Sequence, residues 1–386
     1  MKVLHVYTIF GTANFFDGQF KYLSDKGHDI TIISSPDEKA DSFCKRNNTK
    51  FIPLFIPRYI SILLMLKIIG KLMRIIKNEK FDAVMGHTPI AGLCAMIAAK
   101  LCRVRIRVFY RHGLLYTTLK GFKRFFYLSE ERFVSWLSTE VVVVSPSVAE
   151  ISLTDKLTRP DKMIVLGKGT CGGIDTINKF NPSLISLEEF SNLKKKHDLE
   201  GAEIVFGFSG RFVVDKGIYE LVGGFERFQE LHPDKIVKLL MVGDFDVRDG
   251  LPKEYQERMR KMKSIVITGK VPSDMMPYYY SLMDVLIFPS HREGFGMCSI
   301  EAAAMERPVI VNKCHGCVDS IVEGQTGLFL ELSSNGVCQA MEKAMNKTEM
   351  KEMGIRGRRF VQDNFDWKVM FPMIEKMYVS LDKKHN

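Results

Sequence analysis

Several absences narrow the reading before any motif does. The longest stretch without Asp, Glu, Lys or Arg covers 83–99, and it carries His87, Pro89 and two glycines. That is a poor membrane-crossing helix. The eight cysteines (Cys44, Cys94, Cys102, Cys171, Cys298, Cys314, Cys317 and Cys338) are scattered without a framework spacing. This predicts a reduced, cytoplasmic protein rather than a disulfide scaffold. The C-x-x-C at Cys314-His315-Gly316-Cys317 has no second pair to complete a zinc site, so neither metal nor redox chemistry is expected there. No zinc finger, homeodomain-like pattern or RNA-binding aromatic signature is recognised. No leader is expected either, because Met1-Lys2-Val3-Leu4-His5-Val6-Tyr7 opens directly as a strand. No Asp-x-Asp is recognised at the end of an expected strand, and no metal or other cofactor is expected. No residue announces itself as a nucleophile.

What is present is ordinary globular material. The chain has 386 residues, 46% of them hydrophobic and 26% charged. That length suggests two domains with a core each. The net charge of +10 suits nucleic acid, an anionic membrane or a phosphorylated substrate, and composition alone does not choose.

Along the chain, apolar runs alternate with helical periods. Strands are expected at 2–7, 29–34, 81–85, 105–110, 141–144 and 164–166, and helices at 14–26 and 90–101. This βαβ alternation predicts a parallel sheet. The segment 167–182 (GKGTCGGIDTINKFNP) reads as an interdomain connection. A helix at 187–197 follows. A second series places strands at 203–209, 235–242, 264–268, 284–288 and 308–312, with helices at 216–230, 254–263, 273–282 and 298–306. The domains are therefore drawn at 1–180 and 181–366. A last helix within 367–386, at about 367–384, is expected to return to the first domain. Both halves read as doubly wound α/β units, without a sequence repeat between them.

Two segments carry chemistry. The first is Ser290-His291-Arg292-Glu293-Gly294-Phe295-Gly296-Met297-Cys298-Ser299-Ile300-Glu301. It follows a strand, where open α/β sheets bind ligands. Its glycines let backbone amides approach an anion, and the helix beginning near Met297 offers free N–H groups to a phosphate. Glu293 and Glu301 are suited to accept hydrogen bonds from sugar hydroxyls. The segment reads as a site for a nucleoside diphosphate sugar. The second is Gly207-Phe208-Ser209-Gly210-Arg211-Phe212-Val213-Val214-Asp215-Lys216-Gly217. Here Arg211 and Lys216 are two cations suited to a departing pyrophosphate. Taken singly, His87, His112 and His291 read first as structural histidines.

The pair G-R-x4-K-G and E-x7-E, followed by Gly316 and Glu323-Gly324-Gln325-Thr326-Gly327, resembles the retaining GT-B glycosyltransferases of family four. Gly18-Gln19-Phe20, Leu23, Gly27-His28, His87-Thr88-Pro89, Arg111-His112-Gly113, Glu131-Arg132, Ser145-Pro146-Ser147 and Gly172-Gly173-Ile174-Asp175 extend the resemblance over nearly the whole chain. They are similar to a branch acting on polyprenyl-diphosphate-linked sugars in capsule, O-antigen or N-glycan assembly. The resemblance implies two Rossmann-like domains facing a cleft. It implies a UDP-sugar donor, a hexose or hexosamine transferred, and front-side attack with retention. Arg211 and Lys216 would hold the diphosphate, Glu301 the ribose and Glu293 the donor sugar. The backbone of Phe295, Gly296, Met297 and Cys298 would meet the phosphates, and Lys270-Val271 the base. Gly11 would let a first-domain loop approach the diphosphate, and His112 would lie near the reaction centre. Gly11 is followed by Thr12, where many relatives have a second glycine, and Gly169-Thr170-Cys171-Gly172-Gly173 also departs from the branch.

The first domain also carries two basic, apolar segments. In 58–80, Lys67, Lys71, Arg74 and Lys77 flank an apolar face that includes Leu66, Ile69, Met73 and Ile76. In 119–136, Lys120, Lys123 and Arg124 adjoin Phe125, Phe126 and Tyr127. Both suit an anionic membrane surface, which fits a lipid-linked saccharide acceptor and a peripheral place on the inner face of the cell membrane. Nucleic acid is not expected as a partner. The competing readings are a non-hydrolysing UDP-sugar epimerase and a basic nucleic-acid-binding protein.

Overall fold

The computed structural model describes residues 1–170, 172–246 and 250–385. Cys171, singled out above in the connection, lies outside the described residues. Two compact units result: Met1–Gly173 with Trp367–Asn386, and Ile174–Asp366. The division falls at 173/174 rather than near 180.

In the first unit, β1 (Lys2–Ile9), β2 (Asp29–Ser35), β3 (Lys50–Pro53), β4 (Ala83–His87), β5 (Ile106–Arg111), β6 (Glu140–Val143) and β7 (Met163–Val165) form one sheet. Its order is β3-β2-β1-β4-β5-β6-β7, and every pairing is parallel. Helices cover both faces of such a sheet, so its strands are buried throughout rather than alternately. Accordingly Val3 to Thr8 of β1 are all buried, His5 among them. The helix Ile62–Glu79 packs through Ile68, Ile69, Leu72 and Ile76 and stops at Lys80, which adopts the left-handed conformation. Each such side chain contributes roughly 1.5–3 kcal/mol by leaving water. The last helix, Trp367–His385, packs on the helix Gln19–Asp25.

In the second unit, β8 (Ile204–Ser209), β9 (Val237–Val242), β10 (Ile265–Ile267), β11 (Val285–Phe288), β12 (Val309–Asn312) and β13 (Leu328–Leu330) are ordered β10-β9-β8-β11-β12-β13, again all parallel. The order reverses between β8 and β11, and between β1 and β4 in the first unit. These are the topological switch points at which loops part to leave a crevice.

Several of the elements not anticipated are short or capped by local chemistry. β3 and β13 are short strands at sheet edges. The helix Pro146–Thr154 is announced by Ser145, whose hydroxyl accepts from Val148 N at 3.3 Å, and by Pro146 in the first turn. The expected helix 14–26 is divided into a 3-10 turn, Phe10–Phe16, and the helix Gln19–Asp25.

The basic segment 58–80 also differs from expectation. Ile69 and Ile76 are buried and Met73 packs against the core, so this face is not free. The exposed apolar side chains lie at the start of the helix instead: Ile62, Leu63 and Leu66, preceded by Tyr59 and Ile60. No helix among the described residues is long and apolar enough to cross a membrane.

Candidate functional site

The loops after β8 and β11 meet at the second unit's switch point. Gly217 has φ +70°, and a Cβ there would stand 1.9 Å from Pro289 O, so only glycine lets the two loops touch. Asp215 joins them further. Its carbonyl accepts from His291 N at 2.8 Å and lies 3.1 Å from Ser290 Oγ, and its carboxylate accepts from Arg292 Nη2 at 2.6 Å. This brings Lys216 to Glu293: Lys216 Nζ donates to Glu293 Oε1, which also accepts from Ser290 Oγ at 2.7 Å. Glu293 is held from the other side by Gly316, at φ +82°, where a Cβ would stand 2.7 Å from Glu293 O. Lys216 and Glu293 thus form one partly buried ion pair, their side chains 20% and 13% exposed.

The helix Met297–Ala304 starts immediately after this loop. The start of this helix and the buried hydroxyl of Ser299 are suited to offer donors to an anion. Phe295 packs on Phe365 with ring centroids 5.0 Å apart, so its side chain belongs to the core. Burial raises the Cys298 thiol pKa and keeps it protonated. One turn on, Glu301 Oε2 accepts from Tyr280 Oη at 2.7 Å, and burial raises the Glu301 carboxyl above its ordinary range.

Arg211 follows the same β8 strand but does not stand beside Lys216 as a bare pair of cations. Its Nη1 donates to Asp246 Oδ2 at 2.8 Å, and its side chain is 59% exposed. Lys270 and Val271 follow Gly269, which bridges to Gly243 at the ends of β10 and β9. In the first unit, His112 directly follows β5 and Gly11 follows β1. A Cβ at Gly11 would meet nothing within 4 Å, so the fold itself does not require glycine there.

Residues 203–347 match the family described as Glycosyl transferases group 1, and residues 11–170 match Glycosyltransferase Family 4. A capsular polysaccharide biosynthesis glycosyltransferase of Staphylococcus aureus, CapM, is 32% identical over 98% of this chain and 96% of its own. The chain belongs to glycosyltransferase family 4. A second relative, the UDP-Gal:alpha-D-GlcNAc-diphosphoundecaprenol alpha-1,3-galactosyltransferase of Escherichia coli, is 23% identical over 94% of this chain and 92% of its own. The crystal structure of Anabaena HepE in complex with UDP-glucose superposes with TM-score 0.79 at 17% identity, covering 98% of this chain and 100% of that one. The two doubly wound sheets are therefore the GT-B fold, and the protein is a glycosyltransferase. The fold alone would also have admitted the epimerase reading, and membership in the family decides against it.

Several neighbours of the site escaped the sequence reading. Tyr280 and Asn312, whose Nδ2 donates to Ser290 O at 2.8 Å, sit in no recognisable spacing with the glutamates. Contrary to expectation, an Asp-x-Asp does stand at a strand end: Asp244-Phe245-Asp246 lies just past β9. Asp246 takes Arg211, and Asp244 Oδ1 accepts from Phe245 N at 2.8 Å. Among the described residues no group of three or more His, Cys, Asp or Glu is arranged to hold a metal ion.

Proposed function

We propose that this enzyme moves a hexose or N-acetylhexosamine from a UDP-sugar, with retention, to a polyprenyl-diphosphate-linked saccharide in surface-polysaccharide synthesis. The observation that carries the reading is the second unit's loop pair, where Lys216, Glu293, Ser299 and a helix N-terminus gather at the switch point between β8 and β11. Such a site supplies what a nucleoside diphosphate sugar needs: amides and cations for phosphate, and carboxylates for hydroxyls. The relatives' own names support donor and acceptor. One transfers from UDP-Gal to a diphosphoundecaprenol-linked sugar, and another serves capsule synthesis.

In this reading Lys216 and Arg211 turn from their carboxylate partners to the diphosphate and stabilise the charge that grows as it departs. Glu301, already ordered by Tyr280, receives the ribose, and Glu293 the donor sugar. The backbone from Phe295 to Cys298 meets the phosphates, and the backbone at Lys270 and Val271 meets the base. In the first unit, Gly11 and His112 would serve the same reaction. The departing phosphate takes the acceptor's proton, and the protein positions the reactants. No metal is required, because Arg211 and Lys216 supply the positive charge.

The test is nucleotide release from a panel of UDP- and GDP-sugars, with and without a polyprenyl-diphosphate-sugar acceptor, in EDTA and in magnesium. Acceptor-stimulated release from one UDP-sugar in both buffers supports the proposal. Dependence on magnesium removes the metal-free part. Conversion of the donor to a new sugar without acceptor restores the epimerase.

The acceptor's lipid suggests where the enzyme works. The helices Ile62–Glu79 and Gly121–Leu137 both pack on the helix Pro89–Leu101, so they share one face of the first unit. Leu63 is 76% and Phe122 79% exposed, each with lysines nearby in the sequence. This face is proposed to dock on anionic lipid at the cytoplasmic side of the membrane. Flotation with anionic vesicles, but not with neutral ones, and its loss in Leu63→Ser with Phe122→Ser, is the expected result. Equal binding to both vesicle types contradicts it.

A further inference from the structure

Three histidines and a tyrosine form an unbroken chain through the first unit. Tyr378 Oη lies 2.9 Å from His5 Nε2, His5 Nδ1 lies 2.9 Å from His87 Nε2, and His87 Nδ1 lies 3.0 Å from His112 Nε2. Sheet order explains the alignment. β1, β4 and β5 are adjacent and parallel, His87 pairs with Tyr110 in register, and Tyr378 arrives on the last helix. His5, His87 and Tyr378 are completely buried. His87 is also held between Tyr7 and Tyr110, on the flanking strands, with ring centroids 4.2 and 4.5 Å away.

Burial keeps these imidazoles neutral. It pushes His5 down to about 3 and His112 to about 4, and lowers His87 well below its ordinary value. A neutral imidazole has one N–H and one lone pair, so the order of protons at one link sets the order at the next. In one order, Tyr378 O–H donates to His5, His5 Nδ1–H to His87, and His87 Nδ1–H to His112 Nε2. Every donor from Tyr378 to His87 then has an acceptor, and Tyr7 Oη, 3.4 Å from His5 Nδ1, is a second and longer acceptor for the same proton. In the reverse order His5 Nε2–H donates to Tyr378 Oη. The phenol's own proton is then stranded, because His5 is the hydrogen-bond partner of Tyr378 among the described residues. A buried donor without an acceptor is the costlier arrangement. The first order leaves His112 with its proton on Nδ1.

We propose that Tyr378, His5 and His87 are positioning residues that together hold His112 as its Nδ1–H tautomer, so that His112 serves the reaction as a hydrogen-bond donor to a substrate oxygen and not as a base. The role of His112 in the reaction rests on the proposed function. The tautomer does not, and it is measured without substrate.

The experiment is NMR of the full-length protein labelled with 15N-histidine, with His112 assigned by its loss in His112→Gln. Wild-type His112 is expected as a single neutral Nδ1–H species near neutral pH. Tyr378→Phe removes one hydroxyl and little volume. It is expected to let His112 populate both tautomers and to lower kcat roughly ten-fold, the scale of one hydrogen bond's ordering effect, while KM for the donor is unchanged. An Nε2–H His112 in the wild type overturns the proposal, as does a tautomer and kcat unmoved by Tyr378→Phe. A fixed Nδ1–H His112 in a protein that transfers no sugar would overturn the proposed function and leave the chain's geometry standing.

Discussion

The two units place polar groups in opposite ways. The second gathers charges at a partly open loop pair, where Lys216–Glu293 and Arg292–Asp215 are ion pairs reachable by a ligand. The first buries neutral groups, His5, His87 and Tyr378, in a chain that ends at His112. A charged ligand can exchange for a partner in an ion pair at a loop, so the second unit is suited to bind. A neutral buried chain exchanges nothing, so the first is suited to orient. The pair Arg111–Glu131 is likewise buried in the first unit, with Arg111 Nε 2.8 Å from Glu131 Oε2.

The contrast breaks most sharply at Lys216. Lys216→Ala is expected to lower turnover by on the order of 10²–10³, the cost of losing a donor to the charge that develops, and Arg211→Ala similarly. Steady-state kinetics check this, and full activity in Lys216→Ala removes the assignment.

Acid should separate the units next. An unfolded histidine takes a proton below about 6.5, whereas His5 and His112 stay neutral until pH falls to about 3 and about 4, and burial also holds His87 well below its ordinary value. Their contribution is therefore fully present above pH 6.5 and is lost as pH falls below it. The limiting slope for three such groups is roughly 4 kcal/mol per pH unit. Glu130 has the opposite sign. Burial raises it to about 8, so its contribution fades as pH climbs from the ordinary carboxylate range through 8. Hydrogen exchange at pH 7 and pH 5.5 should show the first unit opening first in acid. Earlier opening of the second would reverse the comparison.

Two glycines sharpen it with smaller effects. Gly217→Ala drives a methyl group into Pro289 O in a left-handed conformation, and is expected to cost roughly 1–3 kcal/mol and to lower activity with it. Gly11→Ala meets open space, so stability should stay within about 0.5 kcal/mol. If Gly11 makes room for the donor, activity nonetheless falls. Thermal melts beside transfer rates separate the two, and an unimpaired Gly11→Ala enzyme would free that position of its assigned role.

The same contrast explains what could be read from the sequence. Glu293 and Glu301 share one loop and helix, so a fixed spacing announces them, and Arg211 to Lys216 is likewise a single turn of chain. The alternation of β-branched runs and helical periods was enough for two parallel sheets. Positions 5, 87, 112 and 378 have no spacing, and only the order of β1, β4 and β5 brings three of them together. Tyr280 reaches Glu301 from a different helix. The helix Ile62–Glu79 misled because its period shows that an apolar face exists but not what covers it. Asp244-Phe245-Asp246 was legible, and its pairing of Asp246 with Arg211 was not.

The most direct test of this division of labour is calorimetric titration of UDP into the wild type, Lys216→Ala and His112→Ala. Binding through the second unit predicts a Kd at least about ten-fold weaker in Lys216→Ala, the loss of one charge-assisted hydrogen bond, and unchanged in His112→Ala. An absence of UDP binding, or one Kd shared by all three proteins, would contradict it.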